Sequence, residues 1–228
     1  MTTSSFVGPI IAMLILVGSV AHAAPLAYPT NSLIGLYRFD GDTKDRSGFN
    51  LGTDLSQERI TFNEDRFGNT NSAAFFNGAN SIARTSTNNL LREGQVSILL
   101  WVKLNSTKTA TIFNRFNYGT NSFWDDLSFF ANYPSGKESF MVCNWSGNDG
   151  NPPDSIATVQ SSFPVNQWFH IALVVSTNAM SVYRDGVLFV ELKNVNKTRG
   201  KIFQKQACWA FGAQAQTSGP ESVLYGLI

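Results

Sequence analysis

The hydrophobic positions of this chain repeat with the period of β-strands. Residues 97 to 104 alternate in a run of β-branched, aromatic and aliphatic side chains, and residues 168 to 175 are almost continuously apolar. Two alternating runs between Met180 and Glu191 flank Asp185-Gly186, a pair that favours a type I′ hairpin because both positions take positive φ. Sustained helical periodicity is absent, so the pattern predicts an all-β fold.

The remaining strand candidates lie at spacings typical of a β-sandwich. They are residues 33–39, 136–144, 208–214 and 223–228. Asn77-Gly78 predicts a turn of the same family between the runs at 73–76 and 81–84. The sequence contains no internal repeat or linker that would divide it into two domains.

The N-terminal segment has the features of a cleaved signal peptide. Ile10 to Val20 is almost continuously apolar, and Ala21-His22-Ala23 offers small residues at the spacing that signal peptidase needs. A membrane anchor is the alternative, but the apolar run is much shorter than the roughly 20 residues that span a bilayer. We therefore predict a signal peptide at residues 1–23, one secreted domain at residues 24–228 and no membrane span.

Composition narrows the class of partner. The chain has 17 basic and 16 acidic residues, which gives no electrostatic reason to expect nucleic acid or anionic lipid as a partner. Charged residues make up 14% and aromatic residues 13%, a balance typical of a globular chain with a large core. Any ligand must therefore be recognised by local chemistry, and the oligomeric state is left open.

The predicted secretion makes the two cysteines and three sequons informative, because disulfides and N-glycans form in secreted proteins. Cys143 and Cys208 are the only cysteines, and an even pair in a secreted chain favours one disulfide over two buried thiols. A bridge requires Cα atoms within about 7 Å, which sequence alone cannot establish. Asn105, Asn144 and Asn196 each begin an Asn-x-Ser/Thr sequon, so we predict N-glycosylation there.

Several motifs occur together in one order along the chain. They are residues 36–41 (LYRFDG), 45–48 (DRSG), 65–68 (DRFG), 74–78 (AFFNG), 97–102 (SILLWV), 168–173 (WFHIAL) and 182–186 (VYRDG). In this order they resemble laminin G-like domains of the concanavalin A-like lectin/glucanase family. The resemblance covers essentially the whole predicted mature chain, and it implies a jelly-roll sandwich of two antiparallel sheets.

The C-terminus departs from the family pattern. Family members usually close with a Gly-Leu-Ile-Asp segment that continues into a last strand, whereas this chain stops at Gly226-Leu227-Ile228. We therefore expect the sandwich to lack its closing strand, which would leave unpaired backbone groups in a sheet. A fragment or an incomplete gene model would explain the departure, and a short form completed by a strand from elsewhere is the alternative.

Candidate catalytic chemistry is sparse. The predicted mature chain has one histidine, His170, which the resemblance assigns to the strand framework, and no Gly-x-Ser-x-Gly motif is present. The family's glucanases carry Glu-x-Asp-x-x-Glu on one strand, and this motif is also absent. Asp125 and Asp126 are adjacent and would point to opposite faces of a strand, so only a distant pair such as Asp126 with Glu138 stays open. We predict a non-catalytic protein.

Calcium is the cofactor that the sequence favours. Asp40, Asp42 and Asp45 cluster within a short segment, and hard cations prefer oxygen ligands, although a solvated polar turn explains the cluster equally well. The family resemblance implies a calcium site held by Asp40 and Gly78, with its third ligand lying beyond Ile228.

Carbohydrate is the ligand class that the aromatic residues favour. The stretch from Phe116 to Trp145 interleaves aromatic rings, which pack on sugar faces, with amides and carboxylates, which bind hydroxyls. Tyr118, Trp124 and Asp125 are the predicted ligand-binding residues, although core packing could also use such aromatics. We therefore predict a secreted carbohydrate-binding module, with a protein-binding adhesion domain or a non-catalytic part of a larger extracellular protein or enzyme as alternatives.

Overall fold

The computed structural model describes ten segments of the chain. They are residues 33–48, 54–85, 96–117, 125–132, 140–144, 154–158, 163–176, 179–193, 207–213 and 223–228. All of them belong to one compact unit, Leu33–Ile228. The predicted signal peptide at residues 1–23 lies outside the described residues.

The described residues form strands and turns, without a helix. The strands are β1 (Ser56–Glu58), β2 (Thr61–Asn63), β3 (Ala73–Asn77), β4 (Ile82–Arg84), β5 (Val96–Leu104), β6 (Ala110–Asn117), β7 (Asp125–Ala131), β8 (Phe140–Asn144), β9 (Asp154–Thr158), β10 (Trp168–Val175), β11 (Ala179–Arg184), β12 (Val187–Lys193), β13 (Ala207–Phe211) and β14 (Tyr225–Leu227). Within this part of the chain, no helix has the length and apolar character that crossing a membrane requires.

The strands build two antiparallel sheets, which confirms the predicted all-β jelly-roll sandwich. The first sheet has the order β1-β4-β13-β6-β7-β8-β9, and the second has the order β12-β11-β10-β5-β14-β3-β2. Every pairing between these strands is antiparallel. The core lies between the sheets because alternate residues of each strand are apolar.

β10 illustrates how alternation builds the core. Phe169, Ile171, Leu173 and Val175 are buried, while the intervening residues of β10 are half-buried on the opposite face. The strand is therefore not buried equally on both faces, although its apolar run suggested that it would be. Burying each of these side chains contributes about 1.5–3 kcal/mol to stability.

The β11–β12 hairpin confirms the prediction made from Asp185-Gly186. Arg184 pairs with Val187, and the two turn residues have φ of 51° and 80°, as a type I′ turn requires. Glycine meets this requirement without strain, and aspartate tolerates it better than most residues.

The turn predicted at Asn77-Gly78 is present, and it connects strands of different sheets. Gly78 has a φ of 74°, and Asn77 Oδ1 accepts the N–H groups of Ala79 and Asn80. The turn therefore exists, but β3 lies in the second sheet and β4 in the first. The chain crosses between sheets here instead of forming a hairpin within one.

The C-terminal segment forms a strand that is paired on both sides. β14 pairs with β3 on one side and with β5 on the other, and the backbone groups of Ile228 and Ala74 exchange hydrogen bonds of 2.9 and 3.0 Å. The sheet therefore has no gap between β3 and β5, and the predicted absence of a further closing strand stays a prediction. Gly226 permits the close approach, because a Cβ there would collide with the carbonyl oxygen of Lys103.

The strand order contradicts the predicted disulfide. Cys143 lies on β8 and Cys208 on β13, and β6 and β7 run between these strands. At about 4.8 Å per strand, the two backbones are separated by roughly 14 Å, about twice the Cα distance that a disulfide spans. Sequence could not reveal this because it gives the number of cysteines and not the order of strands in a sheet.

Candidate functional site

The outer face of the first sheet is closed to solvent at its centre. The strand register aligns one row of residues across this face: Ser56, Arg84, Ala210, Asn114, Ser128, Cys143 and Ser155. Asn114 and Ser128, in the middle of the row, are both 0% exposed. A ligand arriving from solvent cannot reach these two side chains without rearrangement.

The outer face of the second sheet is open. On β5, Leu100, Val102 and Leu104 point into the core, so Leu99 and Trp101 point outward. Leu99 is 62% exposed and Trp101 is 38% exposed. Because adjacent exposed apolar side chains on one face mark interaction sites, this face is the candidate binding surface.

A tight turn between β2 and β3 adds two more side chains to this face. Asp65 Oδ1 accepts the N–H groups of Phe67 at 2.8 Å and Asn69 at 2.9 Å, and the Asp65 carbonyl accepts the N–H of Gly68 at 3.2 Å. Asp and Gly are favoured at the first and fourth positions of such a turn, and Gly68 has a φ of 83°. The turn therefore presents Arg66 and Phe67 at its tip.

Four side chains then stack in series, and we call them the aromatic–arginine cluster: Phe67, Arg66, Trp101 and His170. The Arg66 guanidinium carbon lies 3.8 Å from the centre of the Phe67 ring and 4.1 Å from that of the Trp101 ring. Trp101 also contacts His170, its partner in the β5–β10 register, with ring centroids 5.3 Å apart. Such cation–π contacts hold the guanidinium in place.

The pKa values of two ionisable residues at the cluster are both below their ordinary values. Burial lowers the pKa of His170 and the charge of Arg66 lowers it further, which together outweigh the raising effect of Asp185. Desolvation raises the pKa of Asp65, but hydrogen bonds from Asn69 and Phe67 and the charge of Arg66 bring it below its ordinary value. His170 is therefore largely neutral at pH 7, and Asp65 is ionised.

The predicted ligand-binding residues are not part of this surface. Tyr118 and Trp124 lie outside the described residues, between the end of β6 and the start of β7. Asp125 begins β7 and pairs with Phe116, and its side chain is not among those described. Their binding role stays a prediction. Glu138, one half of the distant carboxylate pair left open above, also lies outside the described residues.

Of the predicted calcium ligands, Asp40 forms ion pairs with two arginines, at 3.3 Å from Arg38 and 3.9 Å from Arg46. Gly78 lies in the turn after β3, and its backbone N–H donates to the Leu224 carbonyl. Calcium binding stays a prediction. No group of three or more His, Cys, Asp or Glu residues that could hold a metal occurs in the described residues.

N-glycosylation at the three sequons also stays a prediction. Asn105 follows β5 and is half-buried, and its Oδ1 atom is buried without a hydrogen-bond partner in the described part of the chain. Asn144 is the last residue of β8, and Asn196 lies outside the described residues.

The sequence contained a signal for the observed cluster that our prediction did not use. Every second residue of a strand points to the same face, so Trp101 lies on the same face of β5 as the polar residues Ser97 and Lys103. This pattern marks Trp101 as outward-facing. Asp65-Arg66-Phe67-Gly68 reads as a turn that places an aromatic ring in solvent. The contact between these two segments could not be predicted, because it depends on the order of strands in the sheet.

The family assignment is clear from a comparison with known families. The family model described as the concanavalin A-like lectin/glucanases superfamily matches residues 76–228. The chain therefore belongs to this superfamily, as the motifs indicated. No curated protein sequence matches it.

Solved structures share the fold at low sequence identity. Domain 4 of AbnA, an extracellular arabinanase from Geobacillus stearothermophilus solved with arabinotriose, is 23% identical with a TM-score of 0.60, over 85% of this chain and 89% of that one. The binding domain of botulinum neurotoxin DC, solved with rat synaptotagmin II, is 14% identical with a TM-score of 0.58, over 87% and 48%. A Trypanosoma rangeli sialidase is 12% identical with a TM-score of 0.58, over 85% and 29%. At these identities the likeness establishes the fold alone.

Proposed function

We propose that this protein is a secreted, non-catalytic module that binds carbohydrate through the aromatic–arginine cluster. One observation carries the proposal: the Phe67 ring is 69% exposed, and its tip position is fixed by the turn and by the stacked Arg66. A rigid, exposed ring is suited to pack against the apolar face of a sugar, because it loses little conformational freedom on binding.

The surroundings of the ring suit a sugar better than a purely apolar ligand. Arg66 offers donors beside the ring, Lys103 lies on the same face of β5 as Trp101, and the exposed Asp185 offers its second carboxylate oxygen to hydroxyl groups. The arabinanase domain with the same fold was solved with arabinotriose, which supports carbohydrate as a ligand class for such a sandwich. The sequence lacks the glucanase carboxylate motif, which favours binding without hydrolysis.

The test compares two exposed turn residues in protein secreted from the full sequence. Phe67→Ala removes the proposed platform, whereas Val187→Ala truncates a side chain that is equally exposed, at 71%, in the β11–β12 hairpin. Screening against a glycan array, followed by calorimetry, should find a bound glycan. Phe67→Ala should weaken its binding by about 1–2 kcal/mol, roughly 5–30-fold, and Val187→Ala should leave it unchanged. A blank array, or equal effects of the two variants, would refute the proposal.

A protein partner is the second candidate, and a neighbouring row of residues favours it. Leu99, Ala172, Tyr183 and Leu188 are register partners across β5, β10, β11 and β12. Leu99 and Leu188 are exposed, so the row forms an apolar stripe on the same face. A pull-down that recovers an extracellular protein and is abolished by Leu99→Asp, together with a blank glycan array, would favour this function.

A further inference from the structure

The Arg66 guanidinium is fixed but has no hydrogen-bond or ion-pair partner among the residues that the structure describes. The guanidinium carbon lies 3.8 Å from the centre of the Phe67 ring and 4.1 Å from the centre of the Trp101 ring. The residue is exposed. The Arg66 guanidinium is therefore held by two aromatic rings, and its N–H groups stay available to a ligand from solvent.

The contact with two rings restricts how the guanidinium can bind a ligand. Its five N–H donors lie in the plane of the group and point outward from its edge. A hydrogen-bonding ligand therefore approaches in that plane, beside the rings. A carboxylate matches this geometry, because its two oxygens accept a pair of parallel N–H···O bonds from the guanidinium.

Two nearby carboxylates of the protein are already engaged. Asp65, the residue before Arg66, accepts three hydrogen bonds from Phe67 and Asn69 within the turn. Asp185 accepts the backbone N–H of His170 at 2.8 Å. Lys103 adds a second positive charge on the same face of β5, two residues from Trp101. The donors of Arg66 are therefore left for a ligand.

We propose that the aromatic–arginine cluster selects glycans that carry a carboxylate, such as those containing a uronic or sialic acid. The Arg66 fork binds the carboxylate, and the exposed Phe67 ring packs against the sugar that bears it. This selectivity rests on the proposed function of the cluster. The stacking that holds Arg66 reduces the side-chain freedom lost on binding, so the preference for the acid should be strong.

The experiment compares each acidic glycan with its own methyl ester, which differs in charge but hardly in shape. An array carries uronic-acid and sialic-acid glycans beside their esters, and the best-bound pair is then measured by calorimetry. Wild-type protein should bind the acid at least about tenfold more tightly than the ester, a typical effect of a charge-assisted bidentate pair. Arg66→Gln should abolish this preference, while Arg66→Lys should keep only part of it because lysine has no planar fork.

Control variants separate this inference from the proposed function. Lys193→Gln removes one positive charge from an exposed side chain on β12 and should leave the preference unchanged. Phe67→Ala should weaken binding of both the acid and the ester, and it should also reduce the preference for the acid, because Phe67 helps to hold Arg66. If wild-type protein binds acid and ester equally, or if Arg66→Lys behaves as wild type, carboxylate selection is wrong and carbohydrate binding stands. If neither form is bound while a neutral glycan is bound, carboxylate selection is wrong and carbohydrate binding stands, and if no glycan is bound at all, both proposals fail. Thermal unfolding of each variant checks that it is folded.

Discussion

The packing between the sheets can be tested at two glycines that have the same backbone conformation and different surroundings. Gly212 follows β13 with a φ of 76°, and Gly186 lies in the β11–β12 turn with a φ of 80°. A Cβ at Gly212 would overlap the ring of Phe76, which is fully buried in the core, whereas a Cβ at Gly186 would have nothing within 4 Å. Replacing each by alanine therefore separates steric overlap from backbone strain.

Backbone strain and steric overlap each lower the free energy of unfolding by an amount that can be estimated. Alanine in the left-handed region costs about 1–2 kcal/mol at either position. Overpacking a core adds about 1–3 kcal/mol, and only Gly212→Ala incurs it. Gly212→Ala should therefore be less stable than Gly186→Ala by about 1–3 kcal/mol, which corresponds to roughly 2–12 °C in Tm for a domain of this size.

Urea unfolding followed by tryptophan fluorescence measures the difference as a change in midpoint at unchanged slope. Phe76→Leu places a smaller, more adjustable side chain beside Gly212, so the double variant should be more stable than the sum of the two single changes implies. Equal free energies of unfolding for the two alanine variants would refute the packing of Phe76 against the segment after β13.

Three further outcomes are expected. Because burial lowers the pKa of His170, this residue contributes stability above its unfolded pKa near 6.5, and that stability is lost as the pH falls. His170→Gln should therefore reduce the decrease in unfolding free energy between about pH 7.5 and about pH 5. Asp65→Ala should lower the free energy of unfolding by about 0.5–1 kcal/mol and weaken glycan binding, as denaturant unfolding and calorimetry would measure. Asp65→Asn keeps a hydrogen-bond acceptor and should have a smaller effect on both. Thr85→Val should lower the free energy of unfolding by about 1–3 kcal/mol in chemical denaturation, because the buried backbone N–H of Trp209 loses the Thr85 hydroxyl that accepts it. Thr85→Ser retains this hydroxyl and should be closer to the wild type.

The sequence predicted the features of the fold that depend on neighbours in the chain. Alternation along β5 and the turn at Asp185-Gly186 required only local periodicity and turn chemistry, and both are present in the structure. The sheet to which each strand belongs is not a local property. This is why the sequence could not show that the Asn77-Gly78 turn connects the two sheets, and why Cys143 and Cys208 were paired across two intervening strands.

The candidate site was missed for the same physical reason. Arg66 and Trp101 are distant in sequence, and each has an ordinary local explanation as a turn residue or a strand residue. Their contact depends on β14, which lies between β3 and β5 and thereby sets how far the β2–β3 turn lies from β5. Gly226 makes that insertion possible, because a side chain there would collide with Lys103 of β5. A residue with no side chain, remote in sequence from the cluster, therefore helps to determine whether Arg66 can reach Trp101. Any substitution that displaces β14 should weaken ligand binding without contacting the ligand.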